Sequence, residues 1–224
     1  MKYHISTGLI IDKFNGQCDC PLCEIQKIVE DQLIYEFLND AVMEDNTRIK
    51  VNKTGFCDKH YDMLHLGQNK LSLALQISTR TDNMLSLLKK PSSYSDAKKL
   101  ADKIDNSVKT CVICDLTEES MVKYYKTVAQ MFYHEDDFYK TLIATNGFCM
   151  HHYAELLRYS NHAHALNKLY LETLSSVQSR SLLAVKDLIT DFCYSHDYRN
   201  AGKPLGDAKV ALKKMRTKLY GKKD

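Results

Sequence analysis

The sequence predicts an all-α protein built from two copies of a helix–loop–helix unit, and three observations carry that expectation. Of 224 residues only three are Pro and eight are Gly, while Leu, Lys, Ala and Met are plentiful; this favours helices joined by short loops over a strand-rich fold. Apolar residues recur at spacings of three and four over long stretches, with no alternating pattern of any length. One stretch also occurs twice. Cys20-Pro-Leu-Cys23 is followed by Gly55-Phe-Cys57-Asp-Lys-His60-Tyr61, and Cys111-Val-Ile-Cys114 by Gly147-Phe-Cys149-Met-His-His152-Tyr153. The second copy lies 91 residues on at its start and 92 at its end.

In chain order, residues 1–19 carry Ile5, Leu9, Ile10, Ile11 and Phe14 before an Asn15-Gly16 turn signal, and read as a short helix or arm laid on the core. Leu22, Ile25, Val29, Leu33, Phe37 and Ala41 mark one face of a helix of about twenty residues. The first CxxC therefore sits at a helix N-terminus, where unpaired N–H groups and the dipole favour thiolate. Glu44-Asp45-Asn46-Thr47 ends that helix, and 52–55 is expected as a loop delivering Cys57. Beyond His60, the run Leu71, Leu75, Ser78, Leu85 and Leu88 predicts a long amphipathic helix, stopped by Lys90-Pro91-Ser92-Ser93.

The second copy repeats the plan. A lead-in helix is expected over 95–104, then one through Met121, Tyr125, Val128 and Phe132 that ends near His134-Glu135-Asp136-Asp137. The run from Leu166 to Phe192 predicts a helix of nearly thirty residues. The expected domains are 1–92, an N-terminal arm and first metal-binding helical repeat, and 93–196, the second. Residues 197–224 form a basic C-terminal helix docked on the body, with Ala208, Ala211, Leu212, Met215 and Leu219 along its apolar face.

The chemistry lies in the repeat. Tetrahedral zinc takes soft or borderline donors, and CxxC with CxxH supplies three thiolates and one imidazole. The expected ligands are Cys20, Cys23, Cys57 and His60 in one copy and Cys111, Cys114, Cys149 and His152 in the other, for two zinc ions per chain. His151 adjoins His152, but Lys59 stands opposite it in the first copy, so His152 is the better fourth donor. Four protein ligands leave no position for water, which makes the metal structural and leaves no catalytic residue to assign. An iron–sulfur cluster is the alternative, and spacing does not separate the two. Thioredoxin-like chemistry would want CxxC beside a βαβ pattern, which is missing.

The remaining candidates have plainer readings. His4 reads as a surface or capping histidine, and the spacing of His162 and His164 puts them on different faces of the helix expected after His152. Cys193-Tyr-Ser-His196 is a CxxH without a CxxC partner, and Cys18 and Cys193 read as small apolar residues. Glu44, Asp45, Glu135, Asp136 and Asp137 occupy matched places and read as solvated helix ends rather than an acid–base pair.

The net charge of +3 conceals an asymmetry: residues 199–224 carry nine Lys or Arg against two Asp, or +7, and the other 198 residues sum to −4. A docking helix with wet lysines is one reading of that tail, and a nucleic-acid or anionic membrane contact the other. The start of the chain has no apolar signal segment, and no apolar run spans a bilayer. A cytoplasmic location is expected, and a reducing cytosol suits metal thiolates over disulfides.

On Tyr3-His4-Ile5-Ser6-Thr7, Ile11-Asp12-Lys13-Phe14, Cys20-Pro-Leu-Cys23, both GFCxxHY segments and Asp197-Tyr198-Arg199-Asn200, the chain resembles an uncharacterised family of bacterial, largely Firmicute, cytosolic proteins of unknown function. The resemblance implies metal binding and a helical fold, and no established activity. Three functions stay open: a zinc-stabilised helical protein that binds a protein partner, an iron–sulfur or zinc metalloenzyme or redox protein with a site between the repeats, and a nucleic-acid binder working through the tail.

Overall fold

The structure, a computed structural model, describes residues 7–88, 90–197, 199 and 206–222. The segment 1–6 and its His4, with Tyr198 and Asn200 of the Asp197–Asn200 motif, lie outside the described residues. The fold is all-α, with eleven α-helices and no strand among the described residues. By packing, the chain divides into two units, residues 1–27 with 121–224, and residues 28–120. Each sequence repeat gives chain to both units.

In the first unit, α1 (Thr7–Asn15) buries Ile10 and Phe14. The first turns of α2 (Pro21–Leu38) and the later turns of α7 (Val112–His134) belong here as well. Then come α8 (Phe138–Ala144), α9 (Met150–Arg158) and a 3-10 stretch over Ser160–Leu166. The 29-residue α10 (Asn167–Ser195) succeeds them, and after a 3-10 turn α11 (Ala211–Tyr220) closes the unit. Phe14 packs its ring 5.6 Å from Phe138 and 5.8 Å from Phe148, and Tyr170 lies 5.0 Å from Phe132. Helix α10 buries Tyr170, Leu174, Val177 and Val185 at helical spacing; the three aliphatic side chains are each worth about 1.5–3 kcal/mol against exposure.

α11 rests against α10 and α9, but not through the leucine stripe read from the sequence. Leu212 and Leu219 are exposed, and the buried positions are Ala208, Ala211 and Lys218. The small Ala208 and Ala211 let this segment approach closely, and Lys218 is held inside by the backbone carbonyls of Asp19 and Asn146.

In the second unit, α3 (Asp45–Thr54), α4 (Asp58–Leu66), α5 (Lys70–Leu87) and α6 (Tyr94–Val108) join the rest of α2 and the start of α7. Phe37, Leu38, Val51, Leu64, Leu73 and Ile113 form the core. Two expectations change here. The polar stretch after α2 is a helix, α3, and residues 52–54 are its last turn rather than a loop. And α5 turns Ser72, Leu73 and Gln76 inward, while Leu71, Leu75, Leu85 and Leu88 stay exposed. Gln76 donates to the Phe37 carbonyl at 2.8 Å, so a polar side chain satisfies a backbone acceptor in the core.

Candidate metal centres

Every candidate donor stands at the start of a helix. Cys20 immediately precedes α2 and Cys111 immediately precedes α7; their carbonyls accept from the amides of Glu24 and Asp115. Cys57 and Cys149 are the N-caps of α4 and α9. The second donor of each pair lies three residues on, in the first turn. Cysteines there meet unpaired N–H groups and the positive end of the dipole, which stabilise thiolate. The Cys149 sulfur accepts from the His152 amide at 3.5 Å.

The loops that deliver Cys57 and Cys149 need their glycines. Gly55 has φ +69° and Gly147 φ +79°, and a Cβ on Gly147 would stand 2.7 Å from that of Ser181. Side chains missed in the sequence hold these loops. Gln178 donates to the Phe148 carbonyl and accepts from the Phe148 amide, both at 3.0 Å, and Arg180 donates to the carbonyls of Ile143 and Thr145. In the second unit Arg80 donates to the carbonyls of Asn52, Lys53 and Ser107. An arginine or glutamine in an amphipathic helix carries no sequence mark that it clamps a distant loop.

The donors come together in two clusters, and the pairing crosses the copies. Cys20, Cys23, Cys149 and His152 form the first and Cys57, His60, Cys111 and Cys114 the second. Each CxxC thus meets the CxxH of the other copy, and the within-copy pairing is overturned. Each cluster falls within one packing unit: Cys20, Cys23, Cys149 and His152 belong to the first unit, and Cys57, His60, Cys111 and Cys114 to the second.

The spacing suits a single tetrahedral ion. With metal–sulfur bonds of ~2.3 Å and metal–nitrogen bonds of ~2.0 Å, the tetrahedron's edges would be ~3.7 Å between sulfurs and ~3.5 Å from sulfur to nitrogen. In the first cluster His152 Nδ1 lies 3.5, 3.4 and 3.3 Å from the sulfurs of Cys20, Cys23 and Cys149, and Cys23 and Cys149 are 3.7 Å apart. In the second, His60 Nδ1 lies 3.3 Å from each of the three sulfurs, and Cys57 and Cys114 are 3.7 Å apart.

Both histidines present Nδ1 to the cluster, which leaves Nε2–H to donate outward. His152 Nε2 meets Gln26 Oε1 at 3.1 Å. His60 Nε2 faces Glu30 Oε1 at 3.7 Å, and Lys59 pairs with the other oxygen of that buried carboxylate at 2.6 Å.

The donors perturb one another. Burial opposes a charged His60, yet its hydrogen bond to Cys111 and the nearby Glu30 carboxylate raise it to about 10. His152, opposed by burial in the same way, is lifted by Cys149 and Cys23 to about 9. Burial pushes Cys111 up, but His60 outweighs it and brings the thiol to about 6. Hydrogen bonds from Cys20 and Cys23 drive Cys149 far down, while burial first and neighbouring thiolates second raise Cys20 and Cys114. With no metal bound, these shifts favour an imidazolium beside a thiolate in each cluster, with Cys20 and Cys114 as thiols. A cation entering must displace those protons, so affinity rises with pH.

The other candidates stand apart. His151 is exposed, and Lys59 opposite it serves Glu30. His164, at φ +47°, is exposed and packs on Tyr133 at 5.2 Å. Cys193 is exposed and joins no cluster among the described residues, and Cys18 is a free, half-buried thiol. Glu44, Asp45, Asp136 and Asp137 are solvent-exposed.

Doubled CxxC and GFCxxHY segments on a helical frame are matched by the family model described as "Family of unknown function (DUF6062)", over residues 1–224. The chain belongs to the DUF6062 family. No curated protein and no solved structure matches it. This DUF6062 member thus has two clusters that could hold metal ions, and no helix among its described residues is long and apolar enough to cross a membrane.

Proposed function

We propose that each cluster holds one zinc ion in a closed Cys3His site, that both ions are structural, and that the chain is a cytoplasmic helical protein that binds a protein partner rather than an enzyme. The observation that carries the metal reading is the donor spacing, which matches the edges of one tetrahedron in both clusters. An iron–sulfur cluster distributes its ligands over several irons, so donors on different irons stand farther apart than donors sharing one ion. Closed four-ligand sites favour a structural role. The exposed Leu71, Leu75, Leu85 and Leu88 on and just after α5 support partner binding, since large apolar side chains in water are the material of docking surfaces. Free thiols in such number fit a reducing compartment. Metal and sulfide analysis of protein purified without oxygen tests the metal reading. Two zinc ions per chain are expected; one ion, or iron with sulfide and visible absorbance, overturns it.

A further inference from the structure

The first unit contains a cleft of about 670 Å³ between α10, α11 and the segment 17–24, within the size range of small-molecule sites. Five cationic side chains line it: Arg180 from α10, and Lys213, Lys214, Lys218 and Lys222 from α11 and the residues just after it. Two carboxylates answer them, Asp19 and Glu24, and Glu24 is already paired with Lys222 at 2.8 Å.

Lys218 is the telling member. It is 1% exposed, and its ammonium donates to the backbone carbonyls of Asp19 and Asn146 with no carboxylate in contact. An ammonium has three donors, and the two carbonyls take two of them. A buried charge left without a counterion is costly. A zinc ion on three thiolates would give the neighbouring centre one net negative charge, which offsets only one of the five cations. Arg180 spends its Nη2 on the carbonyls of Ile143 and Thr145, and no ion pair is formed by Arg180, Lys213 or Lys214 among the described residues. The opposite character is present too: Ala184, Val185 and Leu188 give α10 an apolar wall along the same cleft.

We propose that this cleft binds a small organic anion, an oxyanion head held by Lys218, Lys214 and Lys213 with a short apolar body against Ala184, Val185 and Leu188. The basic tail is then the cationic wall of a ligand site. The proposal goes beyond the metal reading and stands on different residues.

The test is calorimetric titration of the full-length protein, its metal content measured on the same sample, with hexanoate, hexyl phosphate and 1-hexanol. At least one anion is expected to bind with a Kd below about 10 mM and the alcohol at least about tenfold more weakly; the two anions tell a carboxylate head from a phosphate head. Lys213→Glu with Lys214→Glu should weaken anion binding at least about tenfold while the melting temperature without ligand stays within about 2 °C. Lys140→Glu with Lys168→Glu removes as much charge from exposed sites elsewhere and should leave binding unchanged. Hexanol binding as well as either anion, no binding of either anion, or equal loss in both variant pairs overturns the proposal. Tight binding of duplex DNA with no binding of the small anions overturns it in favour of a nucleic-acid tail.

Discussion

The two centres are built from the same parts and differ in cover. In the first, all four donors are buried, and residues 221–222 lie against two of them: Gly221, at φ +83°, ends α11 beside the Cys23 and Cys149 sulfurs, and the Lys222 amide donates to the Cys23 sulfur at 3.4 Å. In the second, Cys111 and His60 are buried, Cys57 is half-exposed and Cys114 is exposed. The outer partners differ as well, a neutral Gln26 behind one histidine and a charged Glu30 behind the other. Donor type and helix-end placement are thus a shared local design, while exposure and charge come from whatever each unit packs around it.

The comparison breaks hardest at the ligands. A structural zinc site contributes on the order of 10 kcal/mol, as much as the whole net stability of many domains. Cys149→Ser should lower the melting temperature by at least about 10 °C, and Cys57→Ser should do less, because its unit already leaves that site partly open to water. Cys18→Ser and Cys193→Ala should stay near wild type. Thermal melts of the four variants check this, and identical melts would refute the ligand assignment.

Reactivity should separate the centres next. Under limiting alkylation, peptide mapping should find Cys57 and Cys114 modified with loss of one metal ion before Cys20, Cys23 and Cys149 react. Simultaneous modification of both clusters would show that the difference in cover has no chemical effect.

The outer partners give a smaller effect. Gln26→Ala and Glu30→Gln should each weaken metal affinity about 10–100-fold, each at its own centre. Competition with a chromophoric chelator reads this, and a loss shared by both centres would argue against independent outer partners. Metal binding should also release protons near neutral pH, at least those of His60 and Cys114 at the second centre and of His152 and Cys20 at the first. The chelator-measured affinity should therefore rise with pH, and a flat profile would contradict the imidazolium–thiolate pairs. The smallest effect is expected on α11, where Leu212→Asp should cost no more than about 0.5 kcal/mol because the side chain is already in water.

All eight clustered donors are legible in the sequence because CxxC and CxxH are local patterns: a two-residue spacer at a helix start fixes both side chains whatever lies elsewhere. Their pairing is not, since it follows which stretches pack into one unit, and that is decided by contacts distant in sequence. Helix α3 is hidden because only Val51 in it is buried, which leaves no apolar period to read. Leu212 and Lys218 mislead together: hydropathy sends leucine inward and lysine outward, while in α11 two backbone carbonyls hold the lysine inside.

The crossed clustering would also have a consequence in time for the proposed metal sites. Cys20 and Cys23 are made first, and the first CxxH after them is Cys57 with His60, which the folded protein assigns elsewhere. Their own partners, Cys149 and His152, come about 90 residues later, roughly 5–20 seconds at ordinary synthesis rates. During that interval the nascent chain holds a complete but incorrect set of four donors. A metal ion captured by that set would have to be handed on before the two proposed sites could form, so slow ligand exchange in the growing chain would delay folding.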